Sequence, residues 1–140
     1  MDVDFRDAAE RHWLDAALLF EKDRMANADH LLGMAAECAL KAIMLGLGMM
    51  LTADGRPREE QHRVHINKLW NEFVTFAENR NGARYVAYLL EGENPFDAWD
   101  VNQRYHHRSS FFRDQVEQHQ NAAEKIMFIL QKAFSDGVVS

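Results

Sequence analysis

Cysteine is all but missing from this chain: Cys38 is the only one in 140 residues. Without a partner it forms no intrachain disulfide and no cysteine-built zinc site, so a reducing compartment is the natural setting. Proline and glycine are also scarce, at two and seven residues, which leaves few turn signals against abundant Ala, Leu, Met, Glu and Arg. An all-α chain follows. Basic charge is in deficit, with 16 Lys and Arg against 22 Asp and Glu and a formal net charge of −6. That argues against a nucleic-acid scaffold coated in cations, although a local basic patch is compatible with it.

Long apolar runs are missing too. The nearest approach, residues 31 to 51, is broken by Glu37 and Lys41. Each charge near the centre of a span costs about 2.5–3.5 kcal/mol on insertion, so the stretch reads as a buried helix rather than a membrane span. The acidic first seven residues do not lead into an uninterrupted apolar segment, and the expectation is no secretory signal and a cytoplasmic protein.

What remains is the composition of one soluble globular domain over residues 1–140, with 47% hydrophobic and 27% charged residues. Apolar positions at three- and four-residue spacing predict a first helix over 4–21, with Phe5, Ala9, Trp13, Ala16 and Phe20 inward. A polar break over 22–27 precedes a second helix over 28–51, capped by Asn27 and apolar nearly all round. Its exceptions, His30, Glu37 and Lys41, share one stripe with Met34, and Gly46 and Gly48 leave room for a close neighbour. Residues 52–64 are polar, contain Asp54-Gly55 and Pro57, and read as a loop. A third helix over 65–78 and a short one over 83–90, stopped by Gly92 and Pro95, follow. Residues 95–108 show no clean period. The last helix, 109–135, carries Phe112, Val116, His119, Ala123, Ile126, Leu130 and Phe134 on its stripe, with Ser109 or Ser110 as cap. The sum is an antiparallel four- to five-helix up-and-down bundle.

Several chemistries are poorly served. A di-metal bundle needs two Glu-x-x-His motifs, and only Glu59 to His62 is present, inside the loop. His62 and His65 have no third zinc ligand signalled beside them. No serine or cysteine sits in a nucleophile elbow, and no glycine-rich phosphate loop occurs. No metal and no cofactor is expected.

The segment 101–113 (VNQRYHHRSSFFR) is the most informative. It holds Arg104, Arg108 and Arg113, with His106 and His107 and no acid, inside an acidic protein. It leads into a helix N-terminus, whose free N–H groups favour an anion. Arg104, Tyr105, Arg108, Ser109 and Ser110 are therefore candidates for phosphate or nucleic-acid binding, with Tyr105 and Phe111 as stacking surface and Phe112 assigned to the core. The alternative is that Arg104 and Arg108 pair with Glu93, Asp97 or Asp100 and only tie the segment down.

The second helix, with Asn27-Ala28 opening it and Ala36-Glu37-Cys38-Ala39-Leu40-Lys41-Ala42 at its middle, resembles the Ala-Glu-x-Ala-Leu-Lys-Ala signature of HEPN domains. The order of parts is similar as well: Trp13-Leu14-Asp15-Ala16-Ala17 in the first helix, His65-Ile66-Asn67-Lys68-Leu69 opening the third, and Arg104-Tyr105 before the last. The resemblance covers about residues 8 to 134. It implies a bundle that forms a homodimer, in defence, toxin–antitoxin or RNA-processing systems, with a nucleotidyltransferase-like antitoxin as one partner. Many such domains are metal-independent ribonucleases, whose arginine and histidine, with four to six residues between them, open the last helix. Arg113 and His119 fit that pattern, Arg113 as phosphate holder and His119 as acid or base in attack by the ribose 2′-hydroxyl. Six residues of helix set them about 9 Å apart along the axis, so a dimer cleft would have to bring two copies together. Other members are non-catalytic nucleotide- or protein-binding modules, and in that case His119 is a core residue. Glu37, Lys41 and His30 either line the cleft or form a buried structural pair.

Overall fold

The computed structural model describes residues 2–89 and 93–140. Among them are five α-helices: α1 (Phe5–Glu21), α2 (Met25–Gly46), α3 (Ile66–Glu78), α4 (Ala83–Val86) and α5 (Arg113–Ser135). The expected all-α bundle is the one observed. α2 is its axis, packed against α1, α3 and α5. The reason is its composition, because a helix apolar on nearly every side is stable only when neighbours cover it. Leu32, Ala35, Ala36, Ala39, Leu40, Ile43 and Met44 are all fully enclosed. No helix among the described residues is long and apolar enough to cross a membrane.

Asp4 caps α1 by accepting the Asp7 N–H at 2.9 Å. The break between α1 and α2 is shorter than the sequence suggested. Asp23 turns the chain with φ 59°, and Arg24, not Asn27, precedes the first turn of α2. α2 also ends early, at Gly46 rather than Leu51. Gly48, with φ 108°, diverts the chain there, and what approaches Gly46 is the backbone of Val138 beyond α5 rather than another helix.

The loop over 52–64 is closed on itself. Leu51 pairs with Pro57, the Arg63 guanidinium donates to the carbonyls of Pro57 (2.6 Å) and Arg58 (3.0 Å), and His62 is buried edge-on against Phe76. The short helix expected over 83–90 is one turn, α4, and its expected end at Leu90 and stop at Gly92 lie outside the described residues.

α5 begins at Arg113, four residues later than the sequence suggested. Residues 108–110 form a separate 3-10 turn, and Phe112, with φ −104° and ψ 139°, is extended. Ser109 and Ser110 therefore do not cap α5. The Ser109 N–H is instead accepted by His107 Nδ1 at 3.2 Å. Phe112 is 68% exposed, which corrects its assignment to the core. Its place in the apolar period lies before the helix starts, where the extended backbone turns the ring outward.

Candidate functional site

The segment between α4 and α5 has no regular period because it is held by single side chains. Phe96 and Trp99 are enclosed in the core. Asn94 donates to the Asn67 carbonyl at 2.8 Å. The Trp99 indole N–H donates to the Asp29 carbonyl on α2 at 2.9 Å, and its ring lies where a side chain at Gly33 would otherwise be. Asp100 and Gln103 cap the turn over 101–105 reciprocally. Gln103 then turns inward and donates to Asp29 Oδ2 at 2.6 Å.

Val101 and Phe111 pack partly buried against the core, so Phe111 is not the free stacking surface expected of it, and most of the remaining segment faces solvent. Arg104, Tyr105, His106, Arg108, Ser109 and Ser110 are exposed, Tyr105 to 76%. Arg104 donates to the Val101 carbonyl at 3.0 Å and lies 4.6 Å from the Tyr105 ring centroid. Neither Arg104 nor Arg108 has a carboxylate within ion-pair reach among the described residues, so the expected alternative, pairing with Glu93, Asp97 or Asp100, is not formed. Arg113 differs. Its guanidinium meets Asp23 at 3.4 Å and covers the Phe20 ring at 4.5 Å, which ties the start of α5 to the end of α1.

His119 is 4% exposed. A carboxylate only accepts, so the ring's Nδ1–H donates to Asp29 Oδ1, at 2.6 Å. The ring also stacks on Phe96 with centroids 5.1 Å apart. Asp29 thus serves His119 through one oxygen and Gln103 through the other. A cavity of about 150 Å³ lies beside this group, bordered by Asp29, Gln103, His106, Ser110, Gln115 and His119. Arg113 is not among its lining residues, and within the chain Arg113 and His119 have separate partners, Asp23 and Asp29.

Glu37 and Lys41 pair along α2 as their spacing suggested, at 3.1 Å and both buried. Sequence reasoning missed the third member. His65, just before α3, donates from Nδ1 to the other Glu37 oxygen at 2.8 Å, and this bond pushes the His65 imidazole above its ordinary range. His30 stacks on Trp99 with centroids 6.0 Å apart and planes 12° off parallel. His65 approaches the same indole at 6.4 Å. The Nδ1 atoms of His12 and His30 are enclosed without a hydrogen-bond partner. Burial, then Arg104, holds His30 below the usual imidazole range, and burial, then Arg11, does the same for His12.

No group of three or more His, Cys, Asp or Glu among the described residues is arranged to hold a metal ion. Cys38 is buried, and burial followed by Glu37 pushes its thiol up to about 11, which removes it as a nucleophile at neutral pH. Comparison with family models, with curated proteins and with solved structures finds no match to this chain.

Proposed function

We propose that this chain is a HEPN-like binding module that holds the phosphate backbone of RNA, or a nucleotide, on the exposed face of residues 101–110, and that it works as a cytoplasmic homodimer. The observation that carries the reading is the pair Arg104 and Arg108, exposed and without carboxylate partners in a protein with net charge −6. Guanidinium groups left unneutralised amid an excess of acid, with an exposed tyrosine ring beside one of them, match a phosphate and a stacked base. His119 fits a structural part better than a catalytic one, since Asp29 and Phe96 hold it inside the bundle.

The test is fluorescence anisotropy with a labelled single-stranded RNA at 50 and 200 mM salt. Binding should weaken as salt rises, because cations on the protein displace condensed counterions. Replacing both Arg104 and Arg108 by Ala should weaken it about tenfold or more and flatten the salt slope by about 1 per lost contact. Unchanged binding by that double variant overturns the reading. A parallel incubation of mixed RNA in EDTA addresses the ribonuclease alternative: cleavage by the parent chain that is abolished in His119→Ala while circular dichroism shows that variant still folded would replace the binding module with an enzyme.

A further inference from the structure

Beside the arginine face lies a group of imidazoles whose arrangement exceeds what packing requires. Lys41 alone makes Glu37 a neutral buried pair at 3.1 Å. The second bond, to His65, adds nothing to that neutrality, yet it fixes the ring of a side chain that is 46% exposed. With Nδ1–H given to Glu37, the nitrogen left over is Nε2, which becomes a charged donor when the ring takes up a proton. His30 is fixed in a complementary way. Its enclosed, unpartnered Nδ1 makes a proton there costly, so Nε2 carries the hydrogen and the ring is a neutral donor. Both rings lie against Trp99, at 6.0 and 6.4 Å between centroids. Arg104 follows Gln103, whose bond to Asp29 sets the 101–105 turn against α2 beside His30.

We infer that His65, His30 and Arg104 form a receptor for a phosphate monoester, carried either by a mononucleotide or by the terminal phosphate of an RNA. This deepens the binding-module reading and rests on it, with Arg108 contacting the remainder of the same ligand. Charge identifies the class. Lys41 cancels Glu37, leaving the His65 imidazolium and the Arg104 guanidinium as two positive charges. A monoester is a dianion whose second proton leaves near pH 6, in the range where an imidazole titrates. A diester has one charge and fewer free oxygens, and does not use both cations. The other charged groups facing these rings are Asp29 beside His30, already engaged by Gln103 and His119, and Lys41 beside His65. His12 adds a third, neutral ring next to His30.

The experiment compares adenosine monophosphate with adenosine, and a 5′-phosphorylated hexaribonucleotide with its 5′-hydroxyl counterpart, following histidine ring signals by NMR and affinity by calorimetry between pH 6 and pH 8. The phosphorylated member of each pair should bind about tenfold or more tightly at pH 6.5, shift the His65 and His30 signals, and raise the His65 midpoint. Above that midpoint its dissociation constant should rise by up to about tenfold per pH unit. His65→Gln and His65→Ala, checked for folding by circular dichroism, should lose the preference and its pH dependence. Preference for the phosphate on the mononucleotide alone identifies a nucleotide ligand, and on the oligomer as well an RNA end; either supports the receptor. Equal binding within each pair, or a preference intact in both His65 variants, overturns it. If 5′-hydroxyl RNA still binds and is lost in the Arg104/Arg108 double variant, the backbone reading survives that failure. If no oligomer binds but the monophosphate does so through His65, the receptor stands and the RNA reading falls.

Discussion

Asp29 and His119 stand 90 residues apart in the chain and meet at 2.6 Å inside the bundle, fastening the start of α2 to the first turns of α5. Gln103 shares the same carboxylate, so three separate stretches converge on one buried group. Removing one partner of such a pair leaves the others desolvated and unpaired, which costs about 3–5 kcal/mol. Asp29→Ala and His119→Ala should each lower the free energy of urea unfolding by about that amount. The double variant should cost much less than the sum of the two. Additive losses would mean that the two side chains are packed independently.

Gly33 makes room for Trp99. A methyl group at that position would overlap the indole ring, and the ring is pinned by its bond to the Asp29 carbonyl. Overpacking of this kind costs about 1–3 kcal/mol. Gly33→Ala should lower the melting temperature and, because Trp99 carries the arginine segment, weaken RNA binding more than an equally destabilising change at Ile126 in α5. Equal binding losses at matched stability would separate the segment's placement from Trp99.

Much of the frame is legible in the residues, and the reasons differ from place to place. The i, i+4 spacing of Glu37 and Lys41 suffices to pair them, because the helix itself supplies the geometry. Charge counting alone picks out Arg104 and Arg108. His65 on Glu37 and Asp29 on His119 are tertiary contacts, 28 and 90 residues apart, and no local period encodes them. Asp29 looks like one more polar residue near a helix start, and Gln103 like part of a loop. Phe112 misled for the opposite reason. It continues an apolar period that the extended backbone before α5 never lets it join. Gly33 carried a hint, as a glycine in the interior of an apolar helix often marks a close approach.

Cys38 offers a probe of the core. It is buried, and its thiol is pushed up to about 11 by burial and by Glu37. At pH 8 almost none of it is the reactive thiolate. Iodoacetamide should label the native protein far more slowly than the urea-unfolded chain, and labelling should track global unfolding. Rapid native labelling would place the thiol outside the core.

The histidines give stability two opposing dependences on pH. Burial holds the His62 ring below the usual imidazole range, with Nδ1 enclosed and unpartnered, and His12 and His30 shift the same way. The unfolded chain takes up these protons first, so the stability tied to neutral rings is present above about pH 6.5 and is lost as pH falls toward the folded values. His65 runs the other way. Glu37 raises it, so its contribution is full below about pH 6.5 and disappears as pH rises through the folded value. Urea midpoints at pH 7.5 and 5.5 should therefore move in opposite directions for two variants. His62→Leu should reduce the loss on acidification relative to the parent chain, and His65→Gln should increase it. Two variants moving together would show that the change comes from carboxylates rather than from these rings.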